Sequence, residues 1–408
     1  MTFDLHCNLP CIRYDNFALR NPIFKNTLTI DDELKTCYMH PSSSFDYGWR
    51  IGKHYGSQYH IINSLARYFK QIKIDERVVE DHLNKVSDLS PSTLNEFKGL
   101  SASTHIKLER LVYLHILFSY ILGSRCTSML ATGKATKEND TFLIINLDGG
   151  IFLTSLVRMF ALHIWTTRNN NSNDYRYAFI GIPIILENPL INEKGLGLGQ
   201  TATICNEERY NKNMDRSGVS INSLIRTTMK TCKNVYEAAD LWKNTKIDCH
   251  KIADEINQTT AWCDKEGAIL LMEVGPDQIE TVFGNSTNIT GTKEGILWHA
   301  GHHQWLDGRK TGSILPSENI SSALNANRAK ELLEMNYGDI SLDTCKIILR
   351  DHGKEEYGGL CKHPSKKKLV FTACSYIVQP KNLTVYLTQG NPCKRKFWKH
   401  DFTKLLSR

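Results

Sequence analysis

The chain has 408 residues, of which 41% are hydrophobic and 23% charged, so we expect a folded core and exclude a disordered or fibrous protein. Its 50 Lys and Arg against 43 Asp and Glu leave a net charge of +7, an excess too small to indicate a nucleic-acid partner. The most apolar run, residues 111–122, is shorter than the roughly 20 residues that cross a bilayer, so no membrane span is expected.

The chain start and the cysteines both indicate a reducing compartment. The first residues lack a basic end followed by an apolar run, so no secretory signal is visible and we expect a cytoplasmic location. The 12 cysteines are scattered and include no CxxC pair of the kind that holds zinc, which favours reduced thiols over a disulfide framework.

Hydrophobic periodicity predicts a helical first third of the chain, without a cluster of catalytic residues. The predicted helices lie at residues 56–72, 78–89 and 91–122, the last broken near residues 101–104. From Cys126 the pattern changes to strands, because residues 127–136 and 142–147 flank a polar tetrapeptide typical of a hairpin turn. The predicted domain boundary therefore separates residues 1–125 from residues 126–408.

Strands and helices alternate in the remainder of the chain. The pattern predicts strands at residues 177–186 and 196–205 joined by a loop at 188–195, helices at 221–230 and 235–243, a hairpin of strands 260–263 and 268–274, strands 279–283 and 295–299 extending that sheet, helices at 323–335 and 342–351, and strands at 370–378 and 382–387. This order predicts an α+β fold in which stacked antiparallel sheets are covered by helices.

The first hairpin brings a thiol and a carboxylate to one end of a sheet. If its turn centres near residue 138 or 139, Asp148 lies opposite roughly Met129 and within a diagonal step or two of Cys126. Such a pair suits nucleophilic catalysis, since the thiolate is the reactive form and its base must be held in place. A buried cysteine with a turn aspartate is the alternative, and the spacing alone does not decide between them.

The residues around this pair resemble those of a known family. The segment Cys126-Thr-Ser-Met-Leu-Ala-Thr-Gly-Lys-Ala-Thr-Lys137 is followed by Asn146-Leu-Asp148. Further matching segments, in the same order along the chain, are residues 47–56, Asn192-Glu-Lys-Gly-Leu-Gly197, Cys263-Asp-Lys-Glu-Gly267, Met272-Glu-Val-Gly-Pro276 and Gly390-Asn-Pro-Cys393. Together they are similar to the acyl-coenzyme A:6-aminopenicillanate acyltransferase family, whose members are N-terminal-nucleophile hydrolases.

The resemblance implies a four-layer αββα sandwich, the N-terminal-nucleophile hydrolase fold, preceded by a helical pro-segment. It also implies self-cleavage between Arg125 and Cys126, which would make residues 1–125 a separate chain and free the α-amino group of Cys126. An α-amino group has a pKa of about 8 and can accept the thiol proton, which a main-chain amide cannot do. Cys126 would then be the nucleophile, and Asp148 would orient its amino group.

Several positions depart from the family pattern. Gly301 stands where the family places an asparagine as oxyanion donor, and His302 follows it; Thr201 lies in a similarly altered segment. Lys368 is the candidate cation where some members have a catalytic arginine near the last strands. By the resemblance, Gly301, His302, Thr201 and Lys368 are predicted as oxyanion or substrate contacts. The histidines at 299, 302 and 303 are dense enough for a metal, but no further ligands at suitable spacing accompany them, so no metal is expected.

The leading hypothesis is a self-processing cysteine amidohydrolase or acyltransferase that acts on a small-molecule amide or acyl substrate without a cofactor. Its partner would be its own pro-segment, with no nucleic acid and no membrane; a homo-oligomer is compatible with it. A second hypothesis is a non-catalytic binding protein on a degenerate scaffold, motivated by Gly301, Arg125 and Ile145, which stands where relatives often have arginine. A third, an anionic-polymer binder using the basic residues 394–399, is weaker because a solvated face explains them as well.

Overall fold

The computed structural model describes residues 35–38, 41–66, 74, 76–121, 126–149, 163–166, 173–203, 218–247, 257–275, 278–308, 313, 315–317, 320–353, 359–363 and 370–406. The α-helices in this part of the chain are α1 (Ser44–Leu65), α2 (Glu76–Leu89), α3 (Pro91–Thr104), α4 (Leu108–Ile121), α5 (Ile221–Thr231), α6 (Val235–Lys243), α7 (Thr287–Thr290), α8 (Ile320–Met335), α9 (Leu342–Leu349) and α10 (Thr403–Leu406). None of these helices combines the length and the apolar character that crossing a bilayer requires.

The strands form two sheets. They are β1 (Lys35–Tyr38), β2 (Thr127–Thr132), β3 (Thr141–Gly149), β4 (His163–Thr166), β5 (Tyr177–Ile182), β6 (Leu186–Asn192), β7 (Gly197–Thr203), β8 (Asn257–Cys263), β9 (Ile269–Val274), β10 (Ile279–Phe283), β11 (Ile296–His299), β12 (Phe371–Gln379), β13 (Thr384–Gln389) and β14 (Trp398–Asp401). Across the described residues, the larger sheet has eight strands in the order β1-β4-β5-β6-β7-β8-β9-β10, and the smaller has six in the order β11-β2-β3-β12-β13-β14.

The two sheets pack face to face, with a layer of helices on each outer surface. Side chains alternate along each strand, so successive residues face opposite sides of the sheet. On β2, Leu130 joins the apolar cluster between the sheets, whereas Met129 joins the cluster beneath α8 and α9. Helices α1 to α6 cover the other face of the larger sheet, where Tyr59 and Trp242 are fully buried. This confirms the predicted four-layer αββα sandwich.

Local signals account for the ends of several helices. Ser43 caps α1 by accepting a hydrogen bond from the amide of Asp46, and Asn234 caps α6 in the same way. Each cap satisfies an amide that the first helical turn leaves without a partner. Helices α1 and α3 cross at glycines: a Cβ at Gly48 would lie 1.9 Å from the carbonyl oxygen of Glu96, so only glycine allows this approach.

Strand pairing corrects three predictions. The strand predicted at residues 295–299 was expected to extend the central hairpin, but β11 instead pairs with β2 in the smaller sheet. The loop predicted at 188–195 is mostly strand β6, which pairs with β5. The predicted pro-segment is not purely helical, because β1 pairs in parallel with β4 at the edge of the larger sheet. The partners of β11 and β1 are distant in the chain and leave no local signal, whereas β6 pairs with its neighbour β5.

The other predicted elements are confirmed within one to a few residues at each end, most closely α5, α6 and the hairpin of β8 and β9 around residues 264–267. Helix α1 begins earlier than predicted, at Ser44. The end of that prediction, residues 67–72, lies outside the described residues, as do residues 204–205.

Candidate active site

Cys126 lies directly before β2, and its side chain is fully buried between the two sheets. It belongs to the same apolar cluster as Leu130 and Leu147, and its sulfur is in no disulfide. Burial, together with the neighbouring thiols of Cys374 and Cys126, raises the pKa of the Tyr376 phenol well above its ordinary value. The thiol therefore lies among apolar side chains and near a neutral phenol, and it is not exposed to solvent.

The register of β2 and β3 sets the position of Asp148. Thr127 pairs with Asn146 and Met129 with Ile144, so Cys126 lies opposite Leu147 when the register is continued. The prediction that Asp148 faces Met129 is therefore wrong by several residues. The cause is the turn, which occupies residues 133–140 and includes a 3-10 turn, rather than the polar tetrapeptide alone. Asp148 is the residue after Leu147, the cross-strand partner of Cys126. The carboxylate residue is therefore closer in register to Cys126 than predicted.

Asp148 is fully buried and held by two side chains. Its Oδ1 accepts a hydrogen bond of 2.7 Å from the Thr372 hydroxyl, and the Lys362 Nζ lies 2.9 Å from its Oδ2. Burial raises the pKa of Asp148, while the charge and hydrogen bond of Lys362 and the hydroxyl of Thr372 lower it. The positive charge of Lys362 therefore offsets the free-energy cost of burying the ionised Asp148 carboxylate.

The main chain fixes Lys362 in this place. Its amide donates to the Thr372 hydroxyl at 2.9 Å, and its carbonyl accepts from the Thr372 amide at 3.0 Å. Thr372 is also the residue that pairs with Asp148 across β12 and β3. Lys362, Thr372 and Asp148 therefore form one unit at the end of the smaller sheet.

The thiol and the carboxylate lie on different faces of the strand pair. Cys126 shares the inner face with Leu147, whereas Asn146 points outward and donates to the carbonyls of Leu349 and Leu360. Alternation along β3 places Asp148 on the same outer face as Asn146. The carboxylate and the thiol therefore lie on opposite faces of the strand pair, so the carboxylate is not placed for direct contact with the sulfur.

A buried polar layer crosses between the sheets two residues beyond Cys126. The hydroxyls of Ser128 and Thr201 are hydrogen-bonded across the gap, and His299 lies opposite Ser128 on β11. The His299 Nε2 is 3.0 Å from both the Thr259 hydroxyl and Glu273 Oε1. All five side chains are fully buried. Thr201, predicted as an oxyanion or substrate contact, is thus brought to the same strand end as Cys126, with its hydroxyl bound to Ser128.

Glu273 anchors this layer as a buried carboxylate. It accepts hydrogen bonds from His299 and from the main-chain amides of Gln304, Trp305 and Leu306. Burial alone would raise its pKa, but His299, the charge of His303 and these amides lower the pKa of Glu273 to about 2. The segment that follows β11 is therefore fixed to β9 through one carboxylate.

The remaining predicted site residues are not gathered at Cys126 by any contact in the described residues. Gly301 is buried, and the His302 Nδ1 lies 2.7 Å from the hydroxyl of Ser322 on α8, in the outer helical layer. Burial and the nearby His299 lower the pKa of His302 to about 4, so its ring is neutral. Arg125 and Lys368 lie outside the described residues.

The residues that hold Asp148 and Glu273 in place were not predicted from the sequence. Lys362 and Thr372 carry no local motif, and Tyr376 is one aromatic residue in an apolar strand. Glu273 was inside a matched segment, Met272-Glu-Val-Gly-Pro276, and a single acidic residue within an apolar strand was a usable signal. The sheets approach closely at Gly199, where a Cβ would lie 1.8 Å from Ile145 Cδ1.

Comparison with known proteins gives one family and several structural neighbours. The acyl-coenzyme A:6-aminopenicillanic acid acyl-transferase family matches residues 135–394, more than half of the chain. The match includes Asp148, Glu273 and Lys362 and begins after Cys126. No curated protein sequence matches the chain.

Two of the matching solved structures are hydrolases or acylases by name. A variant of conjugated bile acid hydrolase from Clostridium perfringens is 14% identical over 68% of this chain and 93% of that chain, with a TM-score of 0.43. Penicillin V acylase from Agrobacterium tumefaciens is 11% identical over 69% of this chain and 87% of that chain, with a TM-score of 0.39.

Proposed function

Because the chain belongs to the acyl-coenzyme A:6-aminopenicillanic acid acyl-transferase family, we propose that it is a self-processing cysteine amidohydrolase or acyltransferase acting on linear amides. The observation that carries the proposal is the position of Cys126 directly before β2. Leu147 lies opposite Cys126 on β3, and the next residue, Asp148, carries the carboxylate that pairs with Lys362. A thiol and an ionised carboxylate on opposite faces of one strand pair, one residue apart in register, suit a nucleophile that supplies its own base.

Self-cleavage comes first in this mechanism. The Cys126 sulfur attacks the carbonyl carbon of Arg125, the peptide bond breaks, and a thioester forms while the thiol proton moves to the released amine. Water then hydrolyses the thioester, leaving a carboxylate on Arg125 and a free thiol on Cys126. In the uncut chain the thiol is fully buried, so cleavage also has to open a path for substrate.

The free amino group then acts as the general base. With a pKa of about 8 it accepts the thiol proton near neutral pH, and Asp148 holds it in position. The thiolate attacks the substrate carbonyl, the amine of the substrate leaves with the transferred proton, and an acyl-enzyme remains. Water releases the acyl group in hydrolysis, and an acceptor amine releases it in transfer.

The decisive experiment examines the mature chains. Intact mass and N-terminal sequencing of purified protein should show residues 1–125 and a second fragment beginning at Cys126, while Cys126→Ala stays uncut. Cys374→Ala is the matched control, because it removes another buried thiol next to Tyr376 and should be processed like the parent. A Cys126→Ala protein cleaved at the parental rate would refute the proposal.

A binding protein on the same scaffold is the second candidate, favoured by one observation. Ile145, where relatives often have arginine, is fully buried against Gly199 and leaves no charge in that part of the inter-sheet core. Labelling of the purified protein with iodoacetamide separates the two candidates. Selective modification of Cys126 supports the enzyme, whereas Cys126 that remains unmodified supports the binding protein.

A further inference from the structure

Four side chains with metal-binding atoms meet at one end of the smaller sheet. They belong to His352, Cys361, His363 and Cys393, and one donor atom from each lies within 4.8 Å of the other three. The two sulfurs are 3.6 Å apart and the two Nε2 atoms 3.1 Å apart. The His363 Nε2 is 3.7 Å from Cys361 Sγ and 3.2 Å from Cys393 Sγ.

Four of the six donor–donor distances, from 3.1 to 3.7 Å, are close to the edges of a tetrahedron around zinc, and the other two are within 4.8 Å. Zn–S bonds of about 2.3 Å and Zn–N bonds of about 2.0 Å put donor atoms about 3.3 to 3.8 Å apart in a tetrahedral site. Two cysteines and two histidines are also a donor set that zinc commonly uses in proteins. A disulfide between Cys361 and Cys393 would account for the two sulfurs but not for two imidazole nitrogens turned toward the same point.

Hydrogen bonds that do not involve the four donor side chains join the segments that carry them. His352 follows α9, Cys361 and His363 precede β12, and Cys393 lies in the turn after β13. The Cys361 amide donates to the Asp351 carbonyl at 2.8 Å, which joins the first segment to the second. The Asn391 side chain donates to the carbonyl of the residue between Cys361 and His363, which joins the second segment to the third.

The Asn391 amide also lies 3.7 Å from Cys361 Sγ, in the position of an outer hydrogen bond to a metal-bound thiolate. Cys361 is buried, His363 and Cys393 are partly buried, and His352 is exposed. The donors therefore lie at the surface of the fold, where an ion can enter without disturbing the core.

We propose that His352, Cys361, His363 and Cys393 bind one Zn²⁺ ion as a closed structural site. Four protein ligands leave no open position for water or substrate, so the ion stabilises the fold and takes no part in the chemistry. Lys362 lies between two of the ligands, and its Nζ is 2.9 Å from Asp148 Oδ2. The zinc ion would thus hold the segment that places the Lys362 ammonium group beside the buried Asp148 carboxylate. The site itself stands independently of the proposed activity.

Metal content of the full chain is the direct test. Protein purified without chelators from zinc-supplemented culture should contain about one zinc per chain by elemental analysis. Cys361→Ser and Cys393→Ser should lose most of that zinc, while Cys232→Ser, a buried cysteine at the end of α5, should retain it. His352→Gln changes the exposed ligand, so it should fold even if the cysteine variants do not, and should release zinc to a chelating dye faster than the parent.

Cobalt provides an independent spectroscopic test. The metal-depleted parent should bind one Co²⁺ and show the d–d bands of tetrahedral cobalt with sulfur-to-metal charge transfer, and Cys393→Ser should weaken the charge-transfer band. Chelator should lower the unfolding temperature of the parent but not of Cys361→Ser. Purified parent protein with neither zinc nor a tetrahedral cobalt spectrum would overturn the proposal, as would a Cys361–Cys393 disulfide in peptides mapped without reduction.

Discussion

At the scale of single residues, buried charge distinguishes this site from an ordinary hydrophobic core. A buried carboxylate is stable only when hydrogen bonds and an opposite charge replace the water it has lost. Asp148 has both in Thr372 and Lys362, and Glu273 accepts hydrogen bonds from main-chain amides and from His299. The two carboxylates fix different segments: Asp148 binds Lys362 and Thr372, and Glu273 binds the amides of residues 304–306 after β11.

Replacement of Lys362 tests whether Asp148 must be ionised for self-processing. In Lys362→Met the carboxylate loses its cation, so burial should raise the pKa of Asp148 further and favour the protonated form. We expect processing to slow by about tenfold or more, which corresponds to roughly 1.4 kcal/mol. Lys362→Arg should restore much of the rate. The measurement is the time course of fragment formation by mass spectrometry at several pH values.

The matched control is Lys346→Met, which removes a lysine on α9 that pairs with the exposed Asp343. This variant should be processed like the parent. Equal rates for Lys362→Met and the parent would show that the ion pair has no part in positioning Asp148.

Replacement of Glu273 tests the second carboxylate through stability. An amide in Glu273→Gln cannot accept all the hydrogen bonds of the carboxylate, so we expect a loss of about 2 to 4 kcal/mol in the free energy of unfolding. Since the pKa of Glu273 is lowered to about 2 from an ordinary value of 4.5, the parent should keep this stabilisation above pH 4.5 and lose it as the pH falls toward 2.

Denaturant unfolding of parent and variant across this pH range measures both effects. Glu280→Gln is the control, because Glu280 lies opposite Glu273 on β10 but is less buried. A Glu273→Gln protein as stable as the control would contradict the anchoring role.

At the scale of elements, a buried ion network joins the predicted pro-segment to the rest of the fold. Arg226 and Lys230 lie one turn apart on α5, and both pair with Glu96 on α3, the lysine at 2.7 Å. Arg226 also pairs with Glu187 on β6, which accepts from the Tyr177 hydroxyl. Helix α3 is therefore tied to the larger sheet by charge as well as by apolar packing.

Replacement of Glu96 should weaken this connection. Glu96→Gln leaves Lys230 and Arg226 buried with one carboxylate fewer, and breaking such a pair costs about 3 to 5 kcal/mol. We expect a lower free energy of unfolding and, in processed protein, easier separation of the two chains on gel filtration in mild denaturant. Glu80→Gln on the exposed side of α2 should change neither. Unchanged stability in Glu96→Gln would mean that apolar packing alone holds α3.

At the scale of the whole molecule, residues before and after Cys126 share one core. Phe97 and Leu114 belong to the same apolar cluster as Leu198 and Trp262 on the larger sheet. His115 on α4 adds a polar link: its Nδ1 donates to the Ile185 carbonyl at 2.9 Å, and its Nε2 lies 3.0 Å from the Ser223 hydroxyl. In the neutral ring that donates through Nδ1, the Nε2 atom accepts from the Ser223 hydroxyl.

Acid should therefore weaken the shared core before it titrates the carboxylates. Burial, with His82 and Arg226 nearby, lowers the pKa of His115 to about 3. The unfolded chain binds a proton at this residue below about pH 6.5 while the folded chain does not, so stability should fall as the pH falls from 6.5 toward 3. His115→Gln should reduce the slope of the free energy of unfolding against pH by about 1.4 kcal/mol per pH unit.

The measurement is the free energy of unfolding between pH 4 and 8, with His60→Gln on the exposed face of α1 as control. His302 and His303, whose pKa values are also lowered to about 4, should leave a residual slope in the variant. If the free energy of unfolding of His115→Gln depends on pH as steeply as that of the parent, His115 does not take up a proton on unfolding.

The sequence by itself determined the elements whose signals are local. The helical spacing of α5 and α6 and the turn at residues 264–267 each lie within a short window, so periodicity and turn chemistry predicted them closely. The alternation of hairpins and helix pairs also predicted the layered α+β fold. Cys126 and Asp148 were identified as a pair because matching residues surround both.

Only the tertiary structure decided the register of β2 and β3, the pairing of β11 with β2, and the partners of Asp148. Lys362 is far from Asp148 in the chain, and His352 is separated from Cys393 by two strands, so no local pattern marks these neighbours. Strand pairing and the convergence of side chains depend on which distant surfaces bury each other, and that contribution to the free energy exists only when the whole chain has folded.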